Sequence, residues 1–259
     1  MRLRVLGTGT SFGVPQVGCA CAVCRSSDPR DRRTRTAALI ERGATRLLVD
    51  TPPELRLQLL GAGIDRVDAV LYTHEHADHT GGIDDLRVFS IRRPTPLPVF
   101  GQSQTLAYLS QAFRYIFDDA TPVPKGTSKP RLAPHPLSHG QQIQVGELEV
   151  LPIAFEHGPT SVLGYRFGPA AYVTDVKRVG PEALALLRGV RTLVLSALWW
   201  RPHPTHQTID EAIEASRAIG AERTYLTHLS HETGHQDLLN RLPAGIEPAY
   251  DGLSLEIEP

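Results

Sequence analysis

The stretch Thr73-His74-Glu75-His76-Ala77-Asp78-His79 places four metal-binding side chains within six residues. Residues 68–73 form an apolar run typical of a strand, and Thr80 begins a segment with helical character. The cluster is therefore predicted at the carboxyl end of a strand, on the turn into a helix. In α/β sheets this edge is where functional sites are built.

The spacing within the cluster suits two metal ions. His74 and His76 alternate along an extended turn and can face one metal, whereas Asp78 and His79 lie on the first helical turn and can face a second. The alternative is a solvated polar loop, but such a loop would crowd titratable groups together without a function. We therefore expect a dinuclear metal site, with Asp78 among its catalytic residues.

The composition is that of an ordinary globular protein. The 259 residues are 41% hydrophobic, and a formal net charge of −1 leaves no overall basic footprint for nucleic acid. No apolar run approaches the roughly 18–20 residues that a membrane span needs, so we expect no membrane association. The first residues enter a strand directly, which favours a cytoplasmic protein without a signal peptide.

A second cluster, formed by Cys19, Cys21 and Cys24, contains all three cysteines of the chain. Disulfides are rare in cytosolic proteins, and an odd number of cysteines leaves one thiol without a partner. Three thiolates at this spacing can instead form three corners of a tetrahedral zinc site that takes a distant fourth ligand. Such a zinc would be structural, because no position is open. The alternative is three small buried side chains.

Polar side chains also follow other predicted strands. The residues at these strand ends are Asp50, His157, Asp175 and His228. Asp50 can either orient a metal-bound histidine or cap the helix that follows it. His206 precedes a helix predicted over residues 209–219, with Thr208 as its N-cap.

Three segments carry predictions of a different kind. Residues 102–117 are predicted to form one amphipathic helix, and residues 249–257 a closing pair of strands. Residues 118–136 show no periodicity and are too long for an idle connection, so we predict a lid or substrate-facing loop, with a surface excursion or dimer contact as the alternative. The histidines without a partner motif are predicted to lie on the surface: His135, His139, His203 and His235.

The pattern His-x-His-x-Asp-His after a buried strand resembles the signature of the metallo-β-lactamase fold hydrolases. The resemblance covers essentially the whole chain and implies an α/β fold of four layers, an αββα sandwich. It also implies a single domain with two pseudo-repeated halves, at about 1–135 and 136–259.

The resemblance further implies a ligand set for two metals in the active site. One metal would be held by His74, His76 and His157, the other by Asp78, His79 and His228, and Asp175 would bridge them. Imidazole and carboxylate ligands suit zinc, and they leave manganese or iron open.

The cysteine cluster narrows the resemblance to one group of these hydrolases. Together with Thr227-His228-Leu229-Ser230-His231 and Tyr250-Asp251-Gly252, it is similar to the phosphoribosyl 1,2-cyclic phosphate phosphodiesterases of the carbon–phosphorus lyase pathway. This resemblance implies that His231 completes one structural zinc site, that His206 is catalytic, and that the protein is a homodimer.

The expected reaction follows from two adjacent metals. They lower the pKa of a shared water, so that a bridging hydroxide becomes the nucleophile, and they neutralise charge on the phosphoryl oxygens. His206 would protonate the departing alkoxide as general acid. We therefore expect a phosphodiesterase that hydrolyses a small cyclic phosphodiester of the ribose or nucleotide type.

Other functions on the same fold remain open. Ribonuclease Z shares the metal motif and a motif like the one that begins at His206, but it needs a basic surface that binds tRNA. Hydrolases of carboxylic esters, lactones or thioesters usually lack both a histidine at position 206 and the cysteine cluster. A non-catalytic metal-binding protein is the third alternative, which the complete ligand set disfavours.

Overall fold

The computed structural model describes residues 1–118 and 120–258, and two seven-stranded sheets form the centre of this part of the chain. The first sheet has the strand order β14 (Ser254–Glu256), β1 (Arg2–Gly7), β2 (Ala37–Arg42), β3 (Thr45–Val49), β4 (Ala69–Leu71), β5 (Leu97–Gly101) and β6 (Leu132–Pro136). The second has the order β13 (Ile246–Pro248), β12 (Arg223–Thr227), β11 (Thr192–Ser196), β10 (Ala170–Val173), β9 (Thr160–Phe167), β8 (Leu148–His157) and β7 (Ile143–Val145).

The two sheets share one pairing pattern. In the first sheet, strands β14 through β3 pair antiparallel and strands β3 through β6 pair parallel. In the second, strands β7 through β10 pair antiparallel and strands β10 through β13 pair parallel. The boundary predicted between residues 135 and 136 falls inside β6, and β14 returns to the first sheet, so the division into halves stays a prediction.

Helices cover the outer faces of both sheets. They are α1 (Leu55–Gly61), α2 (Ala77–Thr80), α3 (Arg87–Ser90), α4 (Ser103–Ala112), α5 (Arg114–Phe117), α6 (Pro181–Leu187), α7 (Ile209–Ile219) and α8 (His235–Arg241). None of the helices in the described part of the chain is long and apolar enough to cross a membrane.

Three apolar cores separate the layers, and the period-2 alternation of the strands builds them. In β2, Ala38 and Ile40 face the core between the sheets, whereas Ala37 and Leu39 face the core beneath α1 and α4. A third core joins the second sheet to α6, α7 and α8. The predicted αββα sandwich is confirmed.

Two predictions about regular elements are wrong. The helix predicted over residues 102–117 is interrupted at Phe113, whose φ of −112° and ψ of 44° are not helical, so that α4 and α5 are separate. The pair of strands predicted over residues 249–257 is not formed, because that range contains only β14, and β13, which ends before it, belongs to the other sheet.

The prediction of a structureless loop over residues 118–136 is also wrong in part. Residues 132–136 form β6, the edge strand of the first sheet, where Pro134 and Pro136 are tolerated because no further strand needs their missing N–H groups. The segment before β6 is anchored along this edge: the Arg131 N–H donates to Ser90 Oγ, and Lys129 Nζ donates to the carbonyl of residue 118. Asp119, which the prediction included, lies outside the described residues.

Candidate metal centre

The predicted metal ligands lie where strands of both sheets end. His74 comes three residues after β4, His157 is the last residue of β8, and His228 directly follows β12. Asp50 directly follows β3, and Asp175 comes two residues after the end of β10. The structure thus brings side chains that are distant in sequence to one edge of the sandwich.

Backbone strain marks three of these positions. Among the described residues, those other than glycine that have a positive φ are Asp50 at 62°, Asp175 at 60° and His228 at 57°. This left-handed conformation is unfavourable for a residue with a Cβ atom and persists where the surroundings enforce it. Here it turns each side chain from its strand end toward the centre of the site.

The first group of ligands consists of His74, His76 and His157. The Nε2 atom of His74 lies 2.8 Å from the Nδ1 atom of His76, and the ring centroid of His157 lies 5.4 Å and 5.3 Å from those of His74 and His76. One nitrogen of each ring lies within 4.8 Å of the others, so the three can hold one metal ion.

The second group consists of Asp78, His79 and His228, with Asp175 between the two groups. His79 Nε2 lies 3.5 Å from Asp78 Oδ2 and 3.2 Å from Asp175 Oδ2, and His228 Nε2 lies 3.2 Å from Asp175 Oδ1. Asp175 also groups with His74 and with His157. This position allows it to contact both metals.

The unused polar atoms of the site fit metal ions. His79 Nε2 and His228 Nε2 are buried, and in the described part of the chain neither makes a hydrogen bond of good geometry, although each lies 3.2 Å from an Asp175 oxygen. Buried polar atoms are rarely left unpaired, because removing them from water is costly unless a partner replaces it. Nitrogen and carboxylate oxygen are the ligands of zinc, so a divalent cation at these atoms satisfies them.

The electrostatics favour the ligating forms of His74, His228 and Asp175. Burial and the neighbouring His79 hold the pKa of His74 well below its usual value, and burial lowers the pKa of His228. Burial acts to raise the pKa of Asp175, but the imidazoles of His228 and His79 outweigh it and hold that pKa well below its usual value. Neutral imidazole and ionised carboxylate are the forms that bind metal. Burial acts to lower the pKa of His79, but Asp175 and Asp50 outweigh it and hold that pKa well above its usual value.

Asp50 orients His79. Its Oδ2 atom lies 2.7 Å from His79 Nδ1 and accepts a hydrogen bond from the Thr73 hydroxyl at 2.8 Å, while Oδ1 accepts one from the Thr73 N–H. With a metal bound, this contact would keep the His79 proton on Nδ1 and leave Nε2 free to ligate. The alternative role of Asp50 as a helix cap is wrong, because α1 begins at Leu55 with Glu54 at its N-cap position.

The cysteine cluster meets His231. The Nδ1 atom of His231 lies 3.3 Å from Cys19 Sγ, 3.4 Å from Cys21 Sγ and 3.6 Å from Cys24 Sγ. A tetrahedral zinc with ordinary Zn–S and Zn–N bond lengths separates sulfur from nitrogen by about 3.5 Å. The four side chains therefore fit one such ion.

The thiols of this cluster differ in acidity. The N–H of Cys24 donates a hydrogen bond to the sulfur of Cys21 and lowers the pKa of Cys21 to about 6. Burial raises the pKa of Cys24 to about 11. A bound cation deprotonates a thiol that it coordinates, so the buried Cys24 fits the site as well.

His206 lies over the metal ligands. Its ring stacks on that of His228 with centroids 4.8 Å apart, and its Nδ1 atom lies 3.7 Å from Asp175 Oδ1. Burial, with a further contribution from His228, lowers the pKa of His206 to about 3. His206 also groups with His157 and Asp175 at ligand distances.

Sequence reasoning missed the residues that hold His206 in place. His203, predicted to lie on the surface, is half-buried, and its Nδ1 atom accepts hydrogen bonds from the N–H groups of Thr205 and His206, both at 3.3 Å. The carbonyl of Thr205 binds His157 Nδ1 at 3.0 Å. The next residues start α7, where Thr208 and Glu211 form the capping box that fixes the predicted helix start.

The prediction that His235 lies on the surface is wrong. It is 3% exposed and lies at the first turn of α8, with its ring 5.7 Å from that of Tyr250. His135 and His139 are exposed, as predicted.

A small cavity opens over the dinuclear ligands. Its volume is about 290 Å³, and it is lined by Ser11, His76, Asp78, His157, Pro159, Thr160, Asp175, Thr205, His206 and His228. Ligand pockets in proteins span about 300–1,000 Å³, so this one suits a small substrate. No described residue of the segment 118–136 lines it, which leaves the lid interpretation of that segment without support.

Comparison with known proteins assigns the family. A family model described as "Beta-lactamase superfamily domain" matches residues 45–229, which include all the dinuclear ligands and none of the cysteines. A crystal structure of a diphosphatase from the PhnP family is 40% identical, covers 98% of this chain and 97% of that one, and superposes with a TM-score of 0.90.

Two curated relatives are longer than this chain. An octanoyltransferase of Porphyromonas gingivalis is 43% identical over 100% of this chain and 52% of its own length. A ribonuclease Z of a Bradyrhizobium strain is 31% identical over 62% of this chain and 52% of its own length. The chain thus spans about half the length of either relative. From the family match and the structural similarity, the chain belongs to the β-lactamase superfamily and has the metallo-β-lactamase fold.

Proposed function

We propose that this protein is a phosphodiesterase that hydrolyses a small cyclic phosphodiester of the ribose or nucleotide type. The observation that carries the proposal is the cavity of about 290 Å³, which is lined by five of the seven dinuclear ligands and by His206. The 40% identical diphosphatase supports it, because a diphosphatase also cleaves a phosphorus–oxygen bond.

Within this proposal, His74, His76 and His157 hold one metal, Asp78, His79 and His228 hold the other, and Asp175 contacts both. Two divalent ions, zinc or manganese, would supply an acidified water as the nucleophile and would neutralise the phosphoryl oxygens. Asp50 keeps His79 in its ligating tautomer, and the carbonyl of Thr205 does the same for His157.

His206 supplies the proton that the leaving alkoxide needs. Its ring is held over the metal ligands by stacking on His228 and by the backbone contacts with His203, so it would lie beside a phosphate group bound in the cavity. Burial disfavours the imidazolium, but a bound phosphate anion raises the pKa of an adjacent imidazole. The negative charge of a bound substrate would therefore favour the protonated form of His206, which takes its proton from water.

The test is hydrolysis by protein loaded with Zn²⁺ or Mn²⁺, comparing ribose 1,2-cyclic phosphate, a nucleoside 2′,3′-cyclic phosphate and a nucleoside diphosphate ester. We expect rapid opening of at least one cyclic phosphate. Turnover of the diphosphate ester alone would show that the protein is a diphosphatase and would contradict the cyclic phosphodiesterase activity. Absence of turnover on all three by the fully metal-loaded protein would contradict the proposal.

Ribonuclease Z activity is the second candidate, because the 31% identity to a ribonuclease Z covers 62% of this chain. The net charge of −1 disfavours it, since RNA binding depends on neutralising many phosphates. Cleavage of a precursor tRNA in preference to cyclic phosphates would establish it. Octanoyl transfer is not carried over, because about half of that relative has no counterpart in this chain.

We further propose that Cys19, Cys21, Cys24 and His231 hold one structural zinc. Replacing Cys21 with serine should remove one zinc per chain and lower the melting temperature, while the dinuclear pair keeps its metals. The measurements are zinc per chain and thermal unfolding. Ala22→Ser is the matched control, because it adds a hydroxyl to the same exposed loop and keeps all three thiols. An unchanged zinc content in Cys21→Ser would refute the four-ligand assignment.

The cytoplasmic location and the homodimer stay predictions. Both would be measured on the native protein, by fractionation and by sedimentation.

A further inference from the structure

Arg33 is a completely buried cation outside the site described above. It is 1% exposed and is the largest of the fully buried side chains. Its Nη1 atom donates to the carbonyl of Ser230 at 2.7 Å, and its Nη2 atom donates to the carbonyl of Thr233 at 3.0 Å and to Asp31 Oδ1 at 3.2 Å. A buried charge is destabilising unless it is paired and hydrogen-bonded, so this arrangement calls for an explanation.

The two carbonyls belong to the loop that supplies a ligand to each metal site. His228 reaches the dinuclear site, and His231, three residues later, reaches the cysteines. Ser230 and Thr233 lie on either side of His231, and Asp31 Oδ1 also accepts the N–H of His235 at 2.7 Å. The Arg33–Asp31 pair therefore binds this loop at three backbone positions.

The backbone of Arg33 is fixed on its other side to the segment that leads to the cysteines. The N–H and carbonyl of Arg33 each bond to Val14, at 2.8 Å in both directions. A Cβ atom at Gly9 would lie 2.6 Å from the Arg33 carbonyl oxygen, so only glycine allows this close approach. The Gly-rich turn after β1 thus serves packing against Arg33.

We propose that Arg33 is a positioning residue that sets the places of His228 and His231 together, so that metal affinity at both sites depends on it. Its guanidinium binds the backbone of the loop between and after the two histidines, and it touches neither imidazole. Without it, both ligands would sample positions away from their metals. Cys21→Ser leaves this contact intact, which is why the dinuclear pair is expected to survive that substitution.

The inference rests on the metal ligands of the proposed function and not on its substrate. The test is therefore titration of the metal-free protein with Co²⁺ in the absence of substrate. Thiolate-to-cobalt charge-transfer absorption reports the cysteine site, and the visible ligand-field bands report the dinuclear site. The variants are Arg33→Met and Arg33→Lys. The control is Arg30→Met, because Arg30 is 40% exposed and, in the described part of the chain, makes its ion pair with Asp28 two residues earlier.

Residues that orient metal ligands typically change affinity by roughly 10–100-fold when they are replaced. We expect a loss of this size at both sites in Arg33→Met and wild-type affinities in Arg30→Met. Arg33→Lys should show a smaller loss, because its ammonium keeps the charge but lacks the rigid fork of the guanidinium. If Arg33→Met does not fold, Arg33→Lys decides, because it keeps the buried charge. Wild-type affinity at either site in the folded variant would overturn joint positioning. If the protein hydrolyses no phosphodiester, the measured cobalt affinities still test the role of Arg33.

Discussion

Replacing Asp175 with alanine is expected to remove one of the two active-site metals and to lower kcat/KM roughly 10³-fold. Asp175 is the carboxylate between the two ligand groups, with one oxygen 3.2 Å from His79 Nε2 and the other 3.2 Å from His228 Nε2. A metal ion that stabilises a transition state by about 4 kcal/mol accounts for a rate loss of this size. The measurements are metal per chain and the kinetics of a phosphodiester.

The control for Asp175→Ala is Asp237→Ala, since Asp237 is a 55% exposed carboxylate of α8 that pairs with Arg241 one helical turn later. It should keep both the metals and the activity, because an exposed ion pair contributes little to stability. Two active-site metals and normal turnover in Asp175→Ala would show that the carboxylate does not bridge them.

Replacing His206 with alanine should leave the metals in place and lower kcat by roughly 10²–10⁴-fold on a substrate whose leaving group is an alkoxide. A p-nitrophenyl ester should be nearly unaffected, because p-nitrophenolate leaves without a proton. The dependence on the leaving group separates loss of a general acid from a general disturbance of the site. The measurement is kcat on both substrates at saturating metal.

His135→Ala is the matched control for His206→Ala, because His135 is an exposed histidine on β6. Full activity of His206→Ala on the alkoxide substrate would remove His206 from the mechanism. Loss of a metal in that variant would instead make His206 a ligand, which its grouping with His157 and Asp175 would explain.

Much of the site could be predicted from the sequence, because its proposed metal ligands lie at the ends of strands, and apolar runs in the sequence show where those strands end. The apolar run before His74 placed the first histidine cluster at a strand end, and the helix start after Thr208 placed His206 just before a helix. The structure brings His157, Asp175 and His228 to the same edge. The roles of these residues as ligands stay predictions until a metal is observed.

The residues that hold the ligands could not be predicted, because their contacts are made through the backbone. His203 acts on the N–H of His206, and Arg33 acts on the carbonyls of Ser230 and Thr233, so neither is part of a motif. His235 was predicted to lie on the surface because no nearby residue indicated that the loop before α8 would be buried.

The errors in the fold have similar causes. The break at Phe113 has no glycine or proline to signal it, and β6 was missed because its two prolines are typical of a loop unless the strand lies at a sheet edge. The separation of β13 from β14 depends on long-range pairing: Leu3 of β1 lies opposite Leu255, at the far end of the chain.

The most direct test of the account is anomalous diffraction from crystals of the zinc-loaded protein, which locates each metal. We expect two zinc ions among the His/Asp ligands, with Asp175 in contact with both, and one zinc held by Cys19, Cys21, Cys24 and His231. A single ion among the His/Asp ligands, or a pair that Asp175 does not contact, would contradict the dinuclear centre on which the proposed function rests.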